Sequence, residues 1–289
     1  MKSVYHASVA YAFRRTLGNQ FLRPTTLRCI SSIFRNFFFS QSRHAFFPSR
    51  VPVSRVDHPL DRKLPFDPKW VNVYMDFTPY WIRVLAFLLW NYGSRSLCVV
   101  REFISSTGRL YTFAATVYRK NLSTTDRPFY VANPKFFTIH LTDPHLMCIP
   151  SLHVMVAIHT YTKFAAAIRS LNDAENRAAQ IEEMRQGAFA ICQSILFVKQ
   201  HSVNCIGASV YAMTRFDPEL FPPEEAEAFC SRFLDTSPLV VPITKVPKEI
   251  IAEVRAYITD SYRHFREEGK TAESWDEPIL NFLRQLPQK

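Results

Sequence analysis

The chain has 289 residues, with 35 Lys and Arg against 25 Asp and Glu and a formal net charge of +10. That length buries one sizeable core or two small ones, and the mean hydropathy of −0.08 is low for a chain made only of membrane spans. Residues 1–56 carry Lys2, Arg14, Arg15, Arg23, Arg28, Arg35, Arg43, Arg50 and Arg55 and no acid, so the excess charge points to a basic amino-terminal arm and not to a nucleic-acid partner.

The arm is rich in Arg, Ser, Phe and Thr, which fits an organellar transit peptide or a basic arm facing the cytoplasm. Within it, Cys29 to Ser40 is aromatic but interrupted by Arg35 and reads as an interfacial helix. Residues 57–70 are Pro-rich and charged, as linkers are. Tyr74 to Tyr92 has aromatic ends and a Leu/Phe centre, the pattern of a spanning helix with aromatic belts. Asp76 and Arg83 lie on one face of it and would point into a bundle. Gly93-Ser94-Arg95 ends it, and Leu97 to Tyr118 is a second helix interrupted by Arg101, Glu102 and Arg109. The competing expectation for both is a buried helix of a soluble protein.

Lys120 to Pro150 reads as a loop, with Pro128, Pro134, Pro144 and Pro150. Ser151–Ile168, Gly187–Lys199 and Ser202–Met213 are apolar, and the charged stretch Arg169–Arg185 separates the first two. As spans, these segments put His153, His201 and the Lys120–Pro150 loop on one side. Arg169, Arg177 and Arg185 then share the opposite side with the carboxy tail, and the positive-inside rule makes that side cytoplasmic. After Asp217 the chain reads as soluble. Ile250, Val254, Tyr257, Ile258 and Phe265 share one helical face, Gly269 is a stop, and Ser274 to Glu277 is a capping box.

Phosphoryl transfer needs cations on the phosphate oxygens, a nucleophile and an acid for the leaving oxygen. Lys120 and Arg127 are cations seven apart, and Arg binds two oxygens at once. Ser151 opens a helix, where free N–H groups favour an anion, and His153 follows two residues on. Ser194 lies seven residues before His201, on the same face if the helix continues. Together they read as a site that holds a phosphate and attacks it with histidine. His140, His145 and His159 lack tight ligand spacing, and the six cysteines contain no C-x-x-C pair. No metal site, cofactor or disulfide framework is therefore expected.

At these residues the chain resembles the type 2 phosphatidic acid phosphatases, the lipid phosphatase and haloperoxidase superfamily. Its first motif, K-x6-R-P, is complete as Lys120, Arg127 and Pro128. The second, P-S-G-H, appears as Pro150-Ser151-Leu152-His153, a form similar to the branch with inositol phosphorylceramide synthases. The third, S-R-x5-H-x3-D, keeps Ser194 and His201 but has Ile195 and Cys205 at the Arg and Asp positions. The resemblance implies an all-α polytopic membrane bundle over residues 66–215; the basic arm and linker over 1–65 and the helical tail over 216–289 lie outside it. It further implies that His201 attacks phosphorus to form a phosphohistidine and that His153 protonates the leaving alkoxide. Lys120, Arg127, Ser151 and Ser194 would hold the phosphate of a lipid or isoprenoid substrate, without a metal. The expected protein is an integral membrane phosphatase or phosphotransferase in phospholipid metabolism, its site on the non-cytoplasmic side and its tail cytoplasmic. Asn204 and Cys205 are the candidates to orient His201 in place of the missing carboxylate. The two departures also fit a catalytically decayed relative that binds a lipid or a membrane partner.

Overall fold

A computed structural model describes residues 3–47, 50–235 and 246–288. The amino-terminal arm folds as α1 (Val9–Gly18), α2 (Arg23–Ile33), a π-helical turn (Phe34–Phe39) and α3 (Ser40–Phe46). Ser8 caps α1 by accepting the Tyr11 N–H, and Pro24 stands in the first turn of α2, where its missing N–H costs nothing. A short strand β1 (Val53–Arg55) leads through two 3-10 turns to α4 (Val71–Met75), α5 (Phe77–Tyr92) and α6 (Leu97–Tyr118). Strand β2 (Leu122–Thr124), α7 (Pro134–Thr142), α8 (Leu152–Ser170), α9 (Ala178–Phe197) and α10 (Asn204–Phe216) follow. The chain closes with α11 (Pro223–Ser231), α12 (Lys248–Glu268) and α13 (Glu277–Gln285).

Helix α8 is the core element. It is buried almost continuously from Leu152 to Ile168 and packs against α5, α6, α9 and α10. Two glycines let helices approach closely. A Cβ at Gly108 of α6 would stand 3.2 Å from Cα of Cys29 on α2, and one at Gly207 of α10 would stand 2.6 Å from Oγ of Ser261 on α12. Helix α12 buries Val254, Ile258, Tyr262 and Phe265, close to the apolar face read from the sequence.

The expected polytopic membrane bundle does not form. Among the described residues no helix is long and apolar enough to cross a membrane. Helix α5 has 16 residues, about 24 Å at 1.5 Å per residue, short of a hydrocarbon core of about 30 Å. Helix α6 has 22 residues but carries an exposed Arg109–Glu102 ion pair. Helix α9 spends its first half on Glu182, Glu183 and Arg185, which are engaged at the surface and with the arm. The Asp76–Arg83 pair does form, and it closes on itself beside the arm residue Tyr5. The integral-membrane assignment, the transmembrane helices, the non-cytoplasmic placement of the site and the cytoplasmic placement of the tail all rested on spans and fall with them.

The arm and the linker are built into the fold. The Val4 N–H donates to Glu183 on α9 at 3.0 Å, and Cys29 is buried against α6. In the linker, His58 and Asp61 cap each other's turn, and Leu60, Leu64 and Trp70 are buried. The stretch from Lys120 to Pro150, expected as loop, contains β2 and α7. Strand β2 pairs in parallel with β1, with Ser54 opposite Ser123. The same Ser54 bridges to Gln288 near the carboxy end. The Ile149 N–H donates to Ser123 Oγ at 2.8 Å, which ties the base of the loop to the start of α8.

Candidate active site

Three histidines meet where α8 begins, where α9 turns into α10, and in the loop after α7. His153 occupies the first turn of α8, and its ring lies between Tyr74 at 4.3 Å and Phe77 at 4.2 Å, centroid to centroid. His201 stands in the turn before α10, with its ring centroid 5.5 Å from that of His153. The His145 ring lies 6.2 Å from His201. His145 takes φ of 60°, a left-handed conformation that is costly for a residue with a Cβ. The Asp143 carboxylate offsets it by accepting the His145 N–H at 2.8 Å.

Helix α9 does not continue to His201. Lys199 takes φ of 55°, and the N–H groups of Gln200 and His201 fold back onto the Ile195 carbonyl at 3.0 and 3.2 Å. Ser194 therefore stays on α9, where its hydroxyl donates to the Ile191 carbonyl at 2.7 Å. The turn carries His201 away from that helical face and towards His153.

The pair encloses a cavity of about 20 Å³, lined among others by Phe37, Tyr111, Asp143, His145, His153 and His201. That is room for about one water. Three buried polar atoms in this region have no partner: Ser151 Oγ, His153 Nε2 and His201 Nδ1. Buried polar groups are rarely left so. Ser151 has the extended backbone of a helix cap, yet its hydroxyl makes no capping bond; its N–H donates to Ser209 Oγ at 2.7 Å. Burial, joined by His201 and His145, holds the His153 pKa well below its ordinary value. Burial also lowers His201 to about 4, with the Cys148 carbonyl acting the other way. Both imidazoles are thus neutral at pH 7, the form that carries a free lone pair. The Asp143 carboxyl is pushed upwards by burial, against the His145 N–H and Arg127.

The expected phosphate-holding groups are only partly gathered. Arg127 donates to Gln200 Oε1 at 3.3 Å and to the Asp143 carbonyl at 3.0 Å, so it clamps the two segments that carry His201 and His145. Lys120 does not line the cavity; it pairs at 2.6 Å with Asp276, at the start of α13. Neither candidate for orienting His201 is positioned by a bond to it. Asn204 donates to the Val56 carbonyl at 3.1 Å and accepts from the Tyr257 hydroxyl. Cys205 is fully buried, and burial raises its thiol pKa. Lys199 donates to the Leu64 and Asp61 carbonyls of the linker.

Four residues of the site carry no local signal in the sequence. Phe37 and Gln41 come from the arm, and Gln41 Oε1 accepts the Leu146 N–H at 3.0 Å. Asp143 and His145 sit together in Asp-Pro-His, a loop dipeptide pattern that on its own says only turn. His159 is a core residue, its Nε2 3.0 Å from Ser106 Oγ, and His140 stacks on Phe129. Among the described residues, no three His, Cys, Asp or Glu side chains are grouped to hold a metal. Comparison with protein-family models, with curated proteins and with solved structures returns no match.

Proposed function

We propose that the His153–His201 pair is a phosphoryl-transfer site, in a phosphatase or phosphotransferase that works through a phosphohistidine. The observation that carries this reading is the meeting of two neutral, buried imidazoles, each with an unpartnered ring nitrogen, near the unpartnered Ser151 hydroxyl. Such atoms are what an incoming phosphate would satisfy. The aromatic and aliphatic lining, with Phe37, Phe77, Tyr111 and Leu152, favours an ester of an apolar alcohol, a lipid or isoprenoid phosphate.

The step runs as follows in chemical terms. A phosphate entering beside His153 raises its pKa, because an adjacent anion favours the imidazolium, and His153 takes up a proton with the substrate. The His201 lone pair attacks phosphorus, the P–O bond to the alcohol breaks, and His153 gives its proton to the departing alkoxide. Water or a second alcohol then attacks the phosphohistidine, yields its proton to His153, and the P–N bond breaks. Ser151 Oγ and the freed guanidinium of Arg127 hold the phosphate oxygens. The present cavity is too small for a phosphate, so Phe37 and Gln41 must first draw back.

A second reading, a decayed relative that binds an apolar ligand without turnover, draws on the Lys120–Asp276 pair and on Cys205. Incubation with a ³²P-labelled phosphatidic acid and an alkaline quench separates the two. The expected result is an acid-labile label on the wild type that is absent in His201→Ala. No label on the wild type, or a label that persists in His201→Ala, overturns the assignment. Cys205→Asp then reports on the missing carboxylate, since losing such an orienting group costs about 10⁴ in rate in a comparable triad. A gain in labelling rate marks a weakened enzyme.

A further inference from the structure

The segment from Phe34 to Phe46 has two faces. Phe37 and Gln41 wall the histidine cavity. Arg35, Asn36, Ser40 and Arg43 face the other way, into a groove of about 590 Å³ completed by Arg50 and Arg119. Four guanidiniums thus line one concavity. Among the described residues no acid lines it, and residues 1–56 contain none. Among the described residues, none of the four pairs with a carboxylate, unlike Arg55 with Asp126 and Arg83 with Asp76. Arg119 is held in place by donating to Asn36 Oδ1 at 2.7 Å, so one fork of the set is preorganised.

Like charges gathered around a hollow repel one another, and the arrangement is stabilised once an anion fills it. Arginine forks match the oxygens of a phosphate two at a time. A single phosphate is smaller than this groove, so its dimensions and four cations suit a group with several negative charges. We propose that the groove is a second site, separate from the histidine cavity, for a multiply charged phosphate anion, either a free di- or polyphosphate or a phosphorylated lipid headgroup. The proposal does not depend on catalysis at His201.

The test is binding to the full chain at 150 mM NaCl. Isothermal titration with inorganic pyrophosphate reads the free anion. Cosedimentation with phosphatidylcholine vesicles, with and without a phosphatidylinositol bisphosphate, reads the headgroup. Saturable binding in at least one arm is expected, weakened at least tenfold in Arg43→Glu/Arg50→Glu and in the milder Arg43→Gln/Arg119→Gln. Arg62→Glu, at an exposed arginine outside the groove, is expected to change it less than twofold. His201→Ala is expected to bind as the wild type does, which separates this site from the catalytic one. Failure of the wild type to bind in both arms, equal weakening by Arg62→Glu, or loss of binding in His201→Ala overturns the proposal.

Discussion

The neutrality of the histidine pair has a measurable consequence for stability. His201 is 9% exposed, and its pKa falls from the ordinary 6.5 to about 4 in the fold, chiefly through burial. For a base whose folded pKa is lowered, the unfolded chain binds more protons below 6.5. Stability is therefore complete above that pH and lost as the pH falls towards 4. Between pH 7.5 and pH 5, linkage gives a loss of about 2 kcal/mol for His201 alone. His153 and His159, both lowered by burial, add losses of the same sign. Urea unfolding measured at the two pH values checks this. With a slope of about 2–3 kcal/mol per molar, the His201 loss alone moves the midpoint by roughly 1 M. In His201→Gln the fall between the two pH values is expected to shrink by about 2 kcal/mol relative to the wild type. An unchanged fall in that variant would mean that His201 is solvated or already charged in the fold, and the neutral nucleophile would go with it.

Three further outcomes follow from particular contacts. Phe37→Ala/Gln41→Ala removes the arm's two contacts with the cavity and is expected to speed histidine labelling at least tenfold; an unchanged rate would show that the arm does not limit access. Lys120→Gln leaves the nearly buried Asp276 without its ammonium partner, so the Tm should fall while labelling changes less than twofold, and a hundredfold loss of labelling would instead put Lys120 on the phosphate. Gly207→Ala places a methyl against Ser261 and the Tyr262 backbone and should destabilise by about 1–3 kcal/mol. Gly18→Ala meets nothing within 4 Å and serves as the neutral comparison in the same thermal melts.

The helices were legible because hydrophobic periodicity and caps are local properties of the chain. The segments Leu97–Tyr118 and Ser151–Ile168, read from the sequence, correspond closely to α6 and α8. Whether an apolar helix faces lipid or protein is not local. The charges of α6 and α9 pair along their own exposed surfaces, as Arg109 with Glu102 and Arg185 with Glu182, or with the arm, as Glu183 with the Val4 N–H, and the contact with the arm is visible only once the arm is placed. The linker shows the same limit. Its prolines and charges mark turns, but they say nothing about Leu60 and Trp70 being buried beneath them.

For the proposed site, the sequence determined which reactive side chains are available: two histidines, each next to a helix start, with Ser151 and Arg127 at fixed offsets. The tertiary structure decided what they can reach. The break at Lys199 swings His201 off its helix and onto His153, which no spacing rule anticipates because it depends on one left-handed residue. Lys120, equal to Arg127 as a cation in sequence, is drawn away because Asp276, distant in the chain, lies beside it in the fold. The amino-terminal arm, which reads as an appendage, supplies one wall of the cavity and much of the arginine groove. Residue type is written locally, whereas burial, pairing and pKa depend on what the remainder of the chain brings into contact.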